Sequence, residues 1–250
     1  MQYAIVFDMD ETLGFFKQIN YLWHLLKSNN KEITNKDFNN ILDLYPEYLR
    51  PNILELLTFL KSKKMAKLCS NIIIYTNNKT SLEWITLIQK YFNNKVNYNL
   101  FDKTIGPFKI KEKILEKNRT SYKKSYEDLL RCTNFYDDVK ICFIDDKMHK
   151  NMINKNVVYI KIKPYTYELN KDIIFYRLYR LYNNNYFLSR LKNIENNYKY
   201  INENINSNYD IHNIITKKII IFINNFLSNK NKTLKIYKMY KNKTKKLINI

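Results

Sequence analysis

The sequence predicts an α/β protein with a largely parallel sheet, and three observations carry that prediction. Short apolar runs end abruptly in acidic or amide residues, helical patterns fill the intervals, and Asp8, Thr76 and Asp145 stand at the ends of three of the runs. Strands alternating with helices build a parallel sheet, because each crossover lays a helix on it. In such sheets ligands bind beyond the carboxyl ends of the strands, where these three residues would converge.

The first strand is Tyr3 to Phe7, stopped by Asp8; its unbroken apolar character fits burial on both faces. Residues Ile53 to Lys63 space apolar side chains at three and four and predict a helix. A second strand runs Ile72 to Thr76, closed by Asn77 and Asn78. The helix after it, Leu82 to Phe92, has Ser81 as its expected cap. Leu100 to Ile105 is a weaker strand candidate and Ser125 to Cys132 a further helix. Lys140 to Asp145 and Val157 to Ile162 complete the strands, the last one stopped by Pro164.

Beyond Pro164 the character changes. Asp172 to Leu191 has helical spacing, an Asn-rich stretch follows to Tyr209, and then come an apolar helix, Ile211 to Leu227, and a Lys-rich end. The expected organisation is a catalytic domain over 1–165, with 14–48 as a small lid or insert, and a helical, Lys-rich extension over 166–250.

Composition narrows the function classes. Hydrophobic residues make up 45% of 250, enough for a buried core. The abundance of Asn, Lys, Ile and Tyr, with Gly14 and Gly106 as the two glycines, reads as AT-rich coding bias, so Lys or Tyr enrichment alone carries little weight. The net charge of +20 predicts an anionic partner such as nucleic acid, phosphoprotein or a membrane surface. Ten lysines and no acid fall within 213–250, so about half of that excess lies outside the catalytic region. Cys69, Cys132 and Cys142 form no CxxC pair and are odd in number; with no secretory signal expected, they read as reduced thiols in a soluble intracellular protein. Lys217 and Lys218 interrupt Ile211 to Leu227 and argue against a membrane span.

The segment Phe7-Asp8-Met9-Asp10-Glu11-Thr12-Leu13-Gly14 carries most of the chemistry. Two carboxylates two residues apart, just past a strand, can turn toward one ligand, and Gly14 is expected to permit a sharp turn after them. Phosphoryl transfer needs an attacking oxygen, a proton donor and a cation. Asp8 and Asp10 are candidates for the first two and can help hold the third. The adjacent acids Asp145 and Asp146 repel each other unless a cation compensates, and an oxygen-only donor set selects magnesium over zinc.

Taken in order, DMDETLG, IIIYTNN and ICFIDD resemble the first, second and fourth motifs of haloacid dehalogenase superfamily phosphatases. The resemblance implies a Rossmannoid fold with a small or minimal cap and an aspartyl-phosphate formed on Asp8. It implies Asp10 as general acid and then base, oriented by Thr12, and Thr76 with the Asn77 amide as phosphate donors. It also implies a magnesium ion held by Asp8, Asp10, Asp145 and Asp146. The third motif is a lysine, and Tyr122 to Leu129 resembles its setting; Lys124 is the candidate, with Lys123 as the alternative. Leu49-Arg50-Pro51-Asn52-Ile53 resembles the segment before the second motif in phosphatases of the RNA polymerase II C-terminal domain and NLI-interacting-factor branch. The chain departs from that branch by Asp-Asp in the fourth motif and YTNN in the second. The YTNN, RCT and CFIDD strings look like haloacid dehalogenase-type proteins of large DNA viruses, over roughly residues 3 to 167.

The expected function is therefore a magnesium-dependent phosphomonoester hydrolase, with phosphoprotein Ser/Thr as the leading substrate. The alternatives are a nucleic-acid end-processing phosphatase, motivated by the basic tail, and a non-catalytic binding protein on the same fold. Other residues read as structural. His149 is expected at the surface after a strand end, Trp23 and Trp84 in the core, and the aromatic face of Phe175 to Tyr186 packed on the domain. His24 and His212 have no metal-ligand spacing. The run Lys230 to Lys246 is expected as a solvated tail, or as a tether for an acidic substrate or nucleic acid.

Overall fold

A computed structural model describes residues 2–136, 138–182, 185–203, 206–228 and 247–250. In chain order the elements are β1 (Tyr3–Phe7), α1 (Lys17–Asn29), α2 (Phe38–Asp43), a 3-10 turn (Pro46–Tyr48), α3 (Ile53–Met65), β2 (Asn71–Tyr75), α4 (Leu82–Lys95) and β3 (Lys103–Ile105). A small antiparallel ribbon, β4 (Lys109–Ile110) and β5 (Lys113–Ile114), leads to α5 (Tyr126–Thr133). Then follow β6 (Lys140–Asp145), a 3-10 turn (Lys150–Met152), β7 (Val157–Lys161), α6 (Lys171–Leu181), α7 (Asn185–Asn196), α8 (Tyr209–Leu227) and β8 (Leu247–Asn249).

Six strands form one parallel sheet in the order β3-β2-β1-β6-β7-β8. The chain moves outward from β1 to β3, then starts again on the other side of β1 with β6, so the gap between β1 and β6 is where strand order reverses. The alternation predicted for doubly buried strands is present. Ile5, Phe7, Ile72, Ile74, Cys142 and Ile144 join the larger apolar cluster on one face. Ala4, Val6, Ile73, Tyr75, Ile141 and Phe143 join a smaller one with Leu129 and Cys132 of α5 on the other. The larger cluster takes side chains from α1 to α4 and from α6 to α8.

Local signals explain the helix limits. Ser81 Oγ accepts from Trp84 N at 3.0 Å, and Ser125 caps α5 by accepting from Asp128 N at 3.1 Å. The periodic stretch after Pro164 is two helices, α6 and α7. In α6, Phe175 and Leu178 are buried while Tyr176 is exposed. Helix α8 packs against α3, burying Ile215, Ile219, Phe222 and Ile223 and leaving Lys217 and Lys218 exposed. Among the described residues no helix is long and apolar enough to cross a membrane. The Lys230 to Lys246 run lies outside the described residues. Cys69, Cys132 and Cys142 are free and buried, and burial pushes the Cys69 and Cys132 thiols up to about 12.

The turn after β1 differs from expectation in an instructive way. The left-handed residue is Glu11, at φ 59°, and Gly14 has no positive φ. Gly14 is required by close approach instead: a Cβ there would lie 2.5 Å from the Tyr48 carbonyl oxygen and 2.6 Å from the Phe16 ring. That carbonyl accepts from Phe15 N at 2.7 Å, which limits its freedom to retreat. Gly14→Ala is expected to cost about 1–3 kcal/mol, the usual range for overpacking, read as a lower urea midpoint.

Arg50 holds the same turn from the start of α3. It is 1% exposed and donates through Nε to Thr12 O at 2.6 Å and through Nη2 to Glu11 O at 2.5 Å and Lys163 O at 2.9 Å. Its Nη1 meets His212 Nδ1 of α8 at 2.7 Å, so His212 accepts there and carries its proton on Nε2. Burial, then the charges of Arg50 and Lys163, push the His212 pKa down to about 4. Above about pH 6.5 both folded and unfolded chains hold this imidazole neutral. Below it the unfolded chain takes up a proton that the folded one refuses, so stability falls until about pH 4. His212→Asn keeps an acceptor for Arg50 and removes the titration. Between pH 7 and 5 the wild-type unfolding free energy should drop about 1–2 kcal/mol more than that of the variant, measured by urea denaturation across the pH series.

Candidate metal and phosphoryl site

The site lies where β1 and β6 end side by side. Asp8 N continues the ladder by donating to Ile144 O at 2.9 Å, which sets the Asp8 side chain beside that of Asp145, the last residue of β6. Asp146 follows directly. Asp8, Asp145 and Asp146 are 8%, 0% and 4% exposed, and each offers an oxygen within 4.8 Å of the others. They form a buried triple-aspartate cluster of the kind that can hold one metal ion.

Lys124, not the exposed Lys123, enters this cluster. The Ser125 cap places it just ahead of α5, and its Nζ donates to Asp8 Oδ1 at 2.5 Å and Asp145 Oδ2 at 2.7 Å. The Phe143 and Tyr75 rings lie 5.7 and 5.8 Å from the ammonium. Burial opposes its charge, but Asp8 and Asp145 outweigh burial and hold the Lys124 pKa above the ordinary lysine value. Burial pushes Asp145 upward, while Lys124 and His149 bring it below the usual carboxylate range. His149 is thus not a freely solvated surface residue: its Nε2 sits 3.3 Å from Asp145 Oδ2, and its side chain is 17% exposed.

The other predicted residues distribute differently than expected. Asp10 stands outside the triple cluster, with Oδ2 accepting from Asn78 Nδ2 at 2.8 Å. Burial, then the Asp8 charge, raises its carboxyl to about 7. Thr12 was expected to orient Asp10; its hydroxyl instead donates to Asp146 Oδ1 at 3.3 Å. The Thr76 hydroxyl is buried and accepts from Asn78 N at 3.0 Å, and Asn77 Oδ1 accepts from Arg119 Nη2 at 2.8 Å. Arg119 is 2% exposed and also donates to Thr76 O and Gly106 O, so it pins the loop after β2.

Asn78, Arg119, His149 and Arg50 are the residues whose connections to this site sequence reasoning did not assign. Arg119 carried no signal, because nothing in its flanking sequence marks a partner 42 positions away. Asn78 was legible in part, as the second amide closing a strand.

The donor set can be tested against a divalent cation by charge. Three buried carboxylates face the buried Lys124 and, at 4.0 Å from Asp146, the more exposed Lys147, so the acids still outnumber the cations at the cluster. The strain of that excess falls on Asp146, whose carboxyl is pushed up to about 8 by burial and then by Asp8 and Asp145. A hard dication with oxygen preference would relieve it, and the three residues fit magnesium on those grounds. Magnesium ordinarily retains waters and shares its sphere with substrate phosphate, so three carboxylates suffice.

Fold and site together define a Rossmann-like α/β protein with a buried acidic cluster at the carboxyl edge of its sheet. No protein-family model, curated protein or solved structure matches the chain.

Replacing Asp146 separates the two energies. In chelator at pH 7, Asp146→Asn removes a group that the unfolded chain ionises freely and the folded state opposes ionising. Stability should rise on the order of 2 kcal/mol. With millimolar magnesium the wild-type melting temperature should climb and that of the variant should not. A variant less stable than wild type in chelator would contradict the charge argument.

Proposed function

We propose that this chain hydrolyses phosphomonoesters with the help of magnesium, through an aspartyl-phosphate on Asp8. The observation that supports the reading most is Lys124 fixed between Asp8 and Asp145 at the switch point of the sheet. The motif order that resembles haloacid dehalogenase phosphatases adds to it. Asp8, Asp145 and Asp146 would hold the ion, which when bound offsets negative charge on the phosphoryl oxygens.

The chain's own residues then divide the work. A carboxylate oxygen of Asp8 attacks phosphorus, and the bond from phosphorus to the ester oxygen breaks as Asp10 delivers its proton to the departing alcohol. Lys124 balances charge between Asp8 and the incoming phosphoryl group. Thr76 and the Asn77 amide stand at the adjacent strand end as phosphate donors. Water next attacks phosphorus, Asp10 takes its proton, and the acyl-phosphate bond breaks to restore the Asp8 carboxylate and release inorganic phosphate. Asn78 holds the Asp10 side chain through this exchange. A phosphoprotein substrate belongs to this reading as a proposal resting on the small cap expected over 14–48. Nucleic-acid ends belong to it through the Lys-rich run, which lies outside the described residues.

Phosphate release from p-nitrophenyl phosphate should require magnesium and fall at least ~10³-fold in Asp8→Asn. Turnover that survives that substitution, or that ignores chelation, would remove Asp8 as the nucleophile.

A further inference from the structure

Two loops meet at the rim of the site. The loop after β2 carries Asn78, which binds Asp10, and then Lys79. The loop before α5 carries Tyr122 and Lys123, and then Lys124, which binds Asp8 and Asp145. Arg119 joins the two loops by donating to Asn77 Oδ1 at 2.8 Å and to Tyr122 O at 3.2 Å. The Lys79 ammonium lies 4.1 Å from the centre of the Tyr122 ring, and Phe108 meets the same ring edge-on at 5.9 Å. Lys79 is exposed and Tyr122 is 37% exposed, so the pair reaches solvent beside residues that touch the reacting carboxylates.

Lysine is abundant in this chain, so its number argues nothing; the use made of each charge does. Elsewhere lysines are answered by acids: Lys17 by Glu203, Lys64 by Asp102 and Lys95 by Asp43. The Lys79 ammonium has the Tyr122 ring and, among the described residues, neither an ion pair nor a hydrogen bond. Lys111, Lys113, Lys117 and Lys123 are exposed and equally unanswered among the described residues, all on the segment between β3 and α5. The acids of that segment are Glu112 and Glu116, and Glu112 already lies 3.6 Å from Lys109. Phe108 O accepts from Leu115 N at 3.0 Å, closing the base of the β4–β5 ribbon where Phe108 meets Tyr122.

These features select among anionic ligands. A compact phosphomonoester spends its charge on the metal ion and Lys124 and brings none to Lys79 or the ribbon. Cations spread from the mouth along one segment suit an anion that repeats. A partly open tyrosine among them suits a base, because proteins that hold single strands combine a basic track with aromatic rings on which bases stack. An acidic peptide would answer the lysines and leave the ring unused.

We infer that this rim binds the last nucleotides of a single nucleic-acid strand and presents the strand's terminal phosphate to Asp8. Lys79 meets an internal phosphodiester, Tyr122 stacks a base, and Lys123 and the ribbon lysines follow the backbone outward. This rests on the reading of the chain as a phosphomonoester hydrolase, and it assigns the strand to the rim rather than to the Lys230 to Lys246 run.

The test uses the magnesium-loaded protein with five substrates: oligothymidylates bearing a terminal 5′ or 3′ phosphate, thymidine 3′,5′-bisphosphate, a phosphoserine peptide with acidic neighbours, and p-nitrophenyl phosphate. One of the oligonucleotides should give the highest kcat/KM, and that value should fall as salt rises. Each phosphate contact to a single strand contributes about 0.7 to the slope of log affinity against log salt, so Lys79→Gln should flatten the slope by about that amount. Tyr122→Leu should lower kcat/KM for the oligonucleotide about tenfold relative to p-nitrophenyl phosphate, mostly through KM. Lys113→Gln, on the exposed ribbon, should also flatten the slope, which guards against a disturbed fold at the mouth. Unchanged slopes in both lysine variants would overturn the assignment while leaving the hydrolase reading intact. So would a bisphosphate turned over as well as the oligonucleotides, or the peptide as the best substrate. If nothing turns over, p-nitrophenyl phosphate included, the hydrolase reading fails on its own. Fluorescence anisotropy of a labelled, terminally phosphorylated oligothymidylate then decides the rim. Weaker and less salt-dependent binding is expected in Lys79→Gln, and equal binding, or none to either protein, counts against it.

Discussion

Three carboxylates are buried together at one edge of a parallel sheet, and much of the surrounding architecture answers to the cost of keeping them there. An isolated carboxylate in such surroundings would protonate or draw in water. Lys124 prevents part of this by spanning Asp8 and Asp145, which ties the ends of β1 and β6 through one ammonium. For Lys124 to reach that point, α5 must be capped at Ser125 and run on the less covered face of the sheet. Its Leu129 and Cys132 pack there against the strands. The ammonium is itself sheltered by Phe143 and Tyr75, and shelter strengthens its attraction to both acids. Fold and site are thus not separable here: strand pairing brings the acids together, and the lysine allows them to stay.

A second buried cation does a different task. Arg50 touches no carboxylate; its guanidinium is satisfied by three backbone carbonyls and the neutral His212 ring. Two of those carbonyls belong to Glu11 and Thr12, in the turn that carries the left-handed Glu11. A strained turn persists only where its surroundings over-determine it, and Arg50 is a large part of that determination. Through Lys163 and His212 the same side chain joins the turn to the exit of β7 and to α8. The C-terminal helix is therefore coupled to the loop bearing Asp10 and Thr12, although it contributes nothing to the acidic cluster itself.

The legible parts of this protein were those set by short-range pattern. Strand ends at Phe7, Tyr75 and Asp145 follow from apolar runs stopped by polar residues, and the caps at Ser81 and Ser125 follow from residue type. The parallel sheet then follows from alternation. What could not be read was anything decided by distance through space. The setting before a helix favours Lys124 over Lys123, but it is burial and the ion pairs to Asp8 and Asp145 that separate them. The choice of Thr12 for Asp146 over Asp10 depends on where β6 ends, 134 positions away. Gly14 was assigned the turn that Glu11 makes, because glycine is the usual left-handed residue, whereas here its missing Cβ serves the approach of Tyr48. His149, four residues after Asp145, carries one signal in the sequence, and its contact with that acid is decided by how the chain turns after β6. Asp172 to Leu191 reads as one helical period, whereas α6 ends at Leu181 and α7 begins at Asn185.

The charged and polar residues around the site divide into those whose bonds hold the chain and those left for a ligand. Asn77, Asn78, Arg119 and Arg50 are polar, buried or partly so, and paired within the chain; their bonds hold loops in place. The cluster of Asp8, Asp145 and Asp146 is paired only in part, and its excess of acid is left to be met from outside. Asp10, two residues from Asp8, lies between the two kinds: its carboxyl is held by Asn78, so the loop that carries it is fixed by the chain, while the acids beside it are left for a cation.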